Sequence, residues 1–222
     1  MSLKIVVVPG RMVARLTGVF AAAVITWPAL APSQPLDLAR SSEPADQGSF
    51  TPAELRQLRR GELVMRPTAV HRGDLDLVGG TSWQAIDAPA DVVWETLLDT
   101  SRYARFLPSV TDARLLTDEG RRRVVWLRHD YAVIDASYCL VATLDPERRS
   151  ASFRVDTSRP RAIRAGWGFF TVRPLGERRS VVSYGILTDM GSGLAAGLLA
   201  PTIRDWMLRV PETVKEYVER RR

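Results

Sequence analysis

Between residues 81 and 110 the chain changes its hydrophobic period twice. Residues 81–86 alternate as a half-buried strand does, and beyond Ala88 the apolar positions Val93, Trp94, Leu97 and Leu98 fall at one-sided helical spacing. Pro89 suits the first position of that helix, where its missing N–H costs nothing, and Asp91 places negative charge in the positive first turn. A second, short helix around residues 101–107 has Tyr103, Phe106 and Leu107 as its apolar side, and Pro108 ends it.

From residue 110 onward short alternating segments are punctuated by turn signals. Strands are expected at 113–116, 123–134, 137–144, 150–155, 166–173 and 180–188, separated at Asp118-Glu119-Gly120, Asp145-Pro146-Glu147 and Leu175-Gly176-Glu177. With the strand at 81–86 these make a curved, seven-stranded antiparallel sheet. The last segment returns to helical spacing, with Ile203, Trp206, Met207, Val210, Val214, Tyr217 and Val218 on one face. Pro211 interrupts it, which predicts a kink or two abutting helices. The glycine-rich stretch 189–201 between sheet and helix reads either as a mobile entrance or as a crossover loop whose Leu194, Leu198 and Leu199 cover the sheet edge.

The amino-terminal part has a different texture. Residues 16–31 are apolar, preceded by Arg11 and Arg15, and read as a signal peptide or an uncleaved amino-terminal anchor covering residues 1–31. The run is broken by Trp27-Pro28 and is shorter than the roughly 20 residues a spanning helix needs. Residues 32–50, rich in Pro, Ser, Ala, Asp and Gln, form a linker. Thr51-Pro52-Ala53-Glu54 is a capping-box signature for a helix to about residue 60, with Leu55 and Leu58 on its apolar side and Gly61 at its end. Residues 51–76 are thus an amino-terminal helix and extension, and residues 77–222 the main domain.

Ala88-Pro89, Val93-Trp94, Asp99, Tyr103 and Leu107-Pro108, in this order after a strand, resemble the opening of the START and polyketide-cyclase-like superfamily, also described as Bet v 1-like or SRPBCC. The resemblance implies an α+β helix-grip fold in which the seven-stranded sheet wraps around the long carboxy-terminal helix, with two short helices after the first strand. It also implies a hydrophobic ligand cavity between sheet and helix. Relatives of this fold include lipid carriers, hormone binders, coenzyme Q-binding proteins and cyclases, so the ligand stays open at this level.

Composition narrows the chemistry. The formal net charge is +6, but Lys4, Arg11 and Arg15 contribute half of it ahead of the folded part, and what remains does not call for nucleic acid. Arginine clusters at 121–123, 148–149, 159–161, 178–179 and 220–222 fall mostly in turns beside acids, as solvated charge does; the other reading is a turn end that meets anionic lipid at a membrane surface. Cys139 is alone, so no internal disulfide exists, and it reads as a small apolar core residue. Two histidines and one cysteine cannot build the usual zinc clusters, and no HExxH motif, phosphate-cradling glycine loop or nucleophile elbow occurs, so neither metal nor cofactor is expected.

Within the cavity that the fold implies, His129 and Tyr131 share the apolar face of their strand with Val125, Leu127 and Val133. Trp167 and Phe169 share one face of the next-to-last strand, Tyr184 lies on the last, and Trp206 on the closing helix. These six are the candidate ligand contacts. The expected function is an exported, monomeric binder or carrier of a hydrophobic small molecule or lipid. The alternative is a cyclase or dehydratase in which His129 acts as general acid or base and Tyr131 or Tyr184 donates hydrogen bonds. The expected location is secreted or periplasmic, with or without a membrane anchor.

Overall fold

The computed structural model describes residues 50–131, 134–191 and 194–221, with backbone only at 131, 134 and 194–200. The apolar run at 16–31 and the linker that follows lie outside these residues. The described residues begin with α1 (Pro52–Arg59), β1 (Val64–Arg72) and β2 (Leu75–Ile86), continue through α2 (Ala90–Leu98), a 3-10 turn (Thr100–Arg102) and α3 (Tyr103–Phe106), and then run through six strands. These are β3 (Val110–Asp118), β4 (Arg122–Tyr131), β5 (Ile134–Asp145), β6 (Ser150–Val155), β7 (Ala165–Pro174) and β8 (Ser180–Asp189). Two helices, α4 (Leu194–Leu208) and α5 (Val210–Glu219), close the fold.

The eight strands of the described residues belong to one antiparallel sheet in the order β1-β2-β8-β7-β6-β5-β4-β3. The strand missing from the sequence-based expectation of seven is β1, which pairs with β2 at one edge, from Val64 opposite Trp83 to Arg72 opposite Leu75. An edge position explains why β1 tolerates Pro67, which has no N–H to give to a second neighbour. Pro67 lies opposite Gly80, whose φ is +144°; a Cβ there would sit 2.3 Å from the Arg66 carbonyl oxygen. Only glycine allows β2 to run this close beneath its neighbour.

The helix α1 starts at the capping box read from the sequence: Glu54 N–H donates to Thr51 Oγ1 at 3.2 Å, and Thr51 N–H donates to Glu54 Oε2 at 2.7 Å. Glu54 also receives the Arg66 guanidinium at 2.8 Å, and chiefly that bond lowers its pKa to about 2. Leu58, Val64 and Trp83 pack together with Phe50. Trp83 alternates with Ile86 across β2, so α1 covers the sheet face opposite the one that α5 packs on.

On that inner face the sheet is divided along its length. Toward one end Ile86, Leu144, Ala151, Val172 and Val182 are buried beneath Val93, Trp94 and Leu97 of α2 and Val214, Tyr217 and Val218 of α5. Asp99 anchors the turn between α2 and α3 by accepting from Ser101 N–H at 3.1 Å, and Tyr103 Oη donates to the Leu97 carbonyl at 2.8 Å. The residues that carried the family resemblance are thus those that hold α2 and α3 over the sheet. Pro89 stands one position earlier than expected, as the residue preceding α2.

The carboxy-terminal helix is two abutting helices, one of the two outcomes Pro211 predicted. Arg209 occupies the junction, and Pro211 is the second residue of α5, where its absent N–H would have had no partner. The expected loop at 189–201 is replaced from Leu194 by α4, which contains Pro201; the side chains of Leu194, Leu198 and Leu199 lie outside the described ones. Before α4, the buried Asp189 carboxylate accepts from Gly191 N–H at 2.6 Å and from Asp76 N–H at 3.2 Å, tying the β1–β2 turn to the start of the closing helices.

The outer face carries a small cluster of Val124, Cys139 and Val141 with Trp126, capped by the Arg114 guanidinium 5.0 Å above the indole. Cys139 is buried there, and burial pushes its thiol pKa up, which suits an inert core position.

Candidate ligand cavity

Beyond the packed end, the space between the sheet and α4 is a cavity of about 200 Å³. Its walls come from the inner faces of β4 to β8, from the α3–β3 segment, and from Ile203, Trp206, Met207 and Val210. The wall is predominantly aliphatic and aromatic, and among the residues bordering it none is Arg, Lys, Asp or Glu.

Two polar side chains of the wall meet each other. His129 Nε2 and Tyr138 Oη lie 2.9 Å apart and share a hydrogen bond, with their rings stacked at 5.5 Å between centroids and 10° between planes. Trp206 closes on the other side of the imidazole, edge to face at 5.6 Å. Desolvation lowers the His129 pKa to about 4, opposed only weakly by the backbone of Pro108, so the ring is neutral at neutral pH. Its Nδ1 is buried and makes no hydrogen bond of full geometry among the described residues, the Pro108 backbone being its polar neighbour. Burial raises the phenol pKa of Tyr138, and that of Tyr184 further, with Tyr138 as an added cause for Tyr184. Tyr184 stacks on Phe153 at 6.1 Å.

Four of the six residues singled out by sequence, His129, Trp167, Tyr184 and Trp206, border this cavity. Tyr131 ends β4 opposite Ile134, and its side chain lies outside the described ones. Ile134, read from sequence as the end of the same strand, begins β5.

Phe169 is a correction. It pairs with Gly185, which points away from its cavity-lining neighbours Tyr184 and Ile186, and a Cβ on Gly185 would meet the Phe169 ring at 2.4 Å. Phe169 therefore lies on the outer face, and Phe170, packed 5.6 Å from Trp94, is the inward aromatic. Gly168 faces inward because Phe153 fills the room: a Cβ at Gly168 would come within 2.6 Å of the Phe153 ring. Trp167 shares the face of Phe169 by alternation along β7 but, unlike Phe169, borders the cavity, beside Gly166.

Tyr138 is the residue that sequence reasoning missed. In β5, Tyr138, Leu140 and Ala142 alternate with Cys139, Val141 and Thr143, and both sets are apolar enough to be inward. The only available signal was the register with β4, which sets Tyr138 opposite Leu127 and diagonal to His129.

The arginine clusters are largely engaged in ion pairs at the surface. Arg121 meets Glu147 at 3.3 Å, Arg123 meets Asp118 at 3.1 Å, Arg149 meets Asp91 at 2.6 Å and Arg179 meets Asp87 at 2.6 Å. Among the described residues no group of three His, Cys, Asp or Glu side chains could hold a metal ion, and no helix is long and apolar enough to cross a membrane.

Comparison with known proteins agrees with this architecture. No curated protein sequence matches the chain. Among solved structures, the Zhui aromatase/cyclase of Streptomyces sp. R1128 superposes with a TM-score of 0.52 at 22% identity, covering 71% of this chain and 96% of that one. A STAR-related lipid transfer protein of Xanthomonas axonopodis gives 0.54 at 15% identity, covering 69% and 98%. A START superfamily protein of Mycobacterium smegmatis gives 0.55 at 11% identity, covering 66% and 99%. At these identities the likeness is one of fold. The model of the family described as polyketide cyclase / dehydrase and lipid transport matches residues 81–219. With the second half of β2 and everything from α2 through α5 inside that match, the chain belongs to the polyketide cyclase / dehydrase and lipid transport family.

Proposed function

We propose that this protein binds a hydrophobic small molecule in the cavity between the sheet and its closing helices, and carries it without chemical change. The observation that supports this reading most is the cavity wall: predominantly apolar, free of charged side chains, with polarity confined to a few aromatic residues and Thr188. Apolar ligands gain roughly 25 cal/mol for each Å² withdrawn from water, and a wall of this kind takes them up with no charge to desolvate. The test is organic extraction and mass spectrometry of protein purified from its native host, with a thermal-shift screen against lipids, isoprenoids and aromatic polyketides. A copurified hydrophobic molecule or a stabilising compound is expected; absence of both overturns the proposal.

Export is part of the same proposal, on the strength of the apolar run at 16–31 behind Arg11 and Arg15. Fractionation with amino-terminal sequencing is expected to find the protein outside the cytosol, beginning near Pro32 or Gln34, or held on the membrane. Soluble cytosolic protein retaining Met1 or Met12 contradicts it.

The second reading, a cyclase or dehydratase, draws on the contact between His129 and Tyr138 at the cavity wall. A neutral imidazole with a pKa of about 4 is a weak proton acceptor and no acid at neutral pH. Its test is conversion of a poly-β-ketone to a cyclised product by the intact protein, lost in His129→Gln.

A further inference from the structure

The polar tips in the cavity divide into those already engaged and those still available. Tyr103 Oη donates to the Leu97 carbonyl at 2.8 Å, and Thr188 Oγ1 donates to the Ala165 carbonyl at 3.0 Å. Tyr138 is different. If its hydroxyl donates to His129 Nε2, its lone pairs remain for a ligand; if Nε2–H donates to the hydroxyl, its proton does. Tyr184 Oη has no hydrogen-bond partner among the described residues and keeps both capacities. Either phenol can therefore pair with an uncharged oxygen of a ligand.

Charge and size set the other limits. With no cationic side chain on the wall, a carboxylate or phosphate entering the cavity would lose its hydration and gain no counter-ion. A dry cavity of about 150 Å³ holds benzene. The cavity here, about 200 Å³, is suited to one or two fused rings.

Building on the binding function proposed above, we infer that the cavity selects an uncharged compound of one or two fused rings bearing a single hydroxyl or carbonyl oxygen, docked on the hydroxyl of Tyr138 or of Tyr184.

Isothermal titration of the full chain at pH 7 with naphthalene, 2-naphthol and 2-naphthoate tests this. 2-Naphthol is expected to bind about tenfold more tightly than naphthalene, the gain that one net hydrogen bond supplies. 2-Naphthoate is expected to bind at least about a hundredfold more weakly than 2-naphthol, since its charge must be desolvated. In the Tyr138→Phe/Tyr184→Phe variant the preference for 2-naphthol over naphthalene should vanish while naphthalene affinity is kept. The inference is overturned, with cavity binding intact, if 2-naphthoate binds as well as 2-naphthol, if the preference survives in the double variant, or if 1-dodecanol binds and none of the ring compounds does. Failure of all four compounds to bind counts against this inference and against the binding function together.

Discussion

At the scale of single residues, His129 links the cavity to pH. Unfolded, its imidazole has an ordinary pKa near 6.5; folded, desolvation holds it at about 4. Between these values the unfolded chain binds a proton that the folded chain refuses, so this residue's contribution is full above pH 6.5 and is lost as pH falls toward 4. The loss amounts to at most about 3 kcal/mol, the equivalent of the two pKa values. Urea unfolding at pH 7, 6 and 5 is expected to show stability declining across this range, and His129→Gln to flatten that decline. Glu54, held at about 2, loses its contribution only at lower pH and does not mimic the effect. Trp206 makes a second prediction. Bordering the cavity and only partly buried, it should cost less on replacement by alanine than the roughly 3–5 kcal/mol of a fully buried aromatic, while binding of a hydrophobic probe weakens strongly. Urea titration and probe titration of the same Trp206→Ala protein separate these effects. Residue identity was legible here where one face of a strand was polar. His129 followed from the alternation of Val125 and Leu127, whereas Phe169 and Phe170 sit in a strand apolar on both faces, and only tertiary packing, Phe153 over Gly168, decides which points inward.

At the scale of elements, strong periodicity translated directly into structure. The strand at 150–155 occurs as β6 without a shift, and the capping box opens α1 where Thr51 and Glu54 placed it. The strand β1 escaped notice because VMRPTAVHR lacks alternation: six of its nine residues are exposed at the sheet edge, so no buried face imposes a pattern, and Pro67 argues against an interior strand. Its partner β2 carries a testable constraint. Gly80 combines a φ of +144° with an approach to the Arg66 carbonyl that leaves no room for a Cβ. Gly80→Ala is expected to destabilise the protein by more than about 1 kcal/mol, against the usual small gain of a tolerated Gly-to-Ala change. Denaturant unfolding reads the sign directly. The break at Pro211 was legible as a discontinuity, but its form, two abutting helices with Arg209 between them, depends on how α4 and α5 each meet the sheet.

At the scale of the whole molecule, the two ends of the inner sheet face have different tasks. One end is filled by Trp94, Phe106 and Tyr217 and holds α5 in place; the other leaves a space bordered by His129, Tyr138, Tyr184 and Trp206. The first supplies stability and the second a site, so a substitution that fills the cavity should spare the fold and remove binding. Ala142 borders the cavity from β5 next to the packed end, which makes Ala142→Phe the appropriate block. The most direct test is fluorescence titration with the neutral probe 2-naphthol, on the wild-type chain and on Ala142→Phe shown by its melting curve to be folded. Saturable one-to-one binding by the wild type, lost in the variant, is the predicted result. Equal binding by the two proteins, or no saturable binding by the wild type, would contradict a ligand site between the sheet and its closing helices.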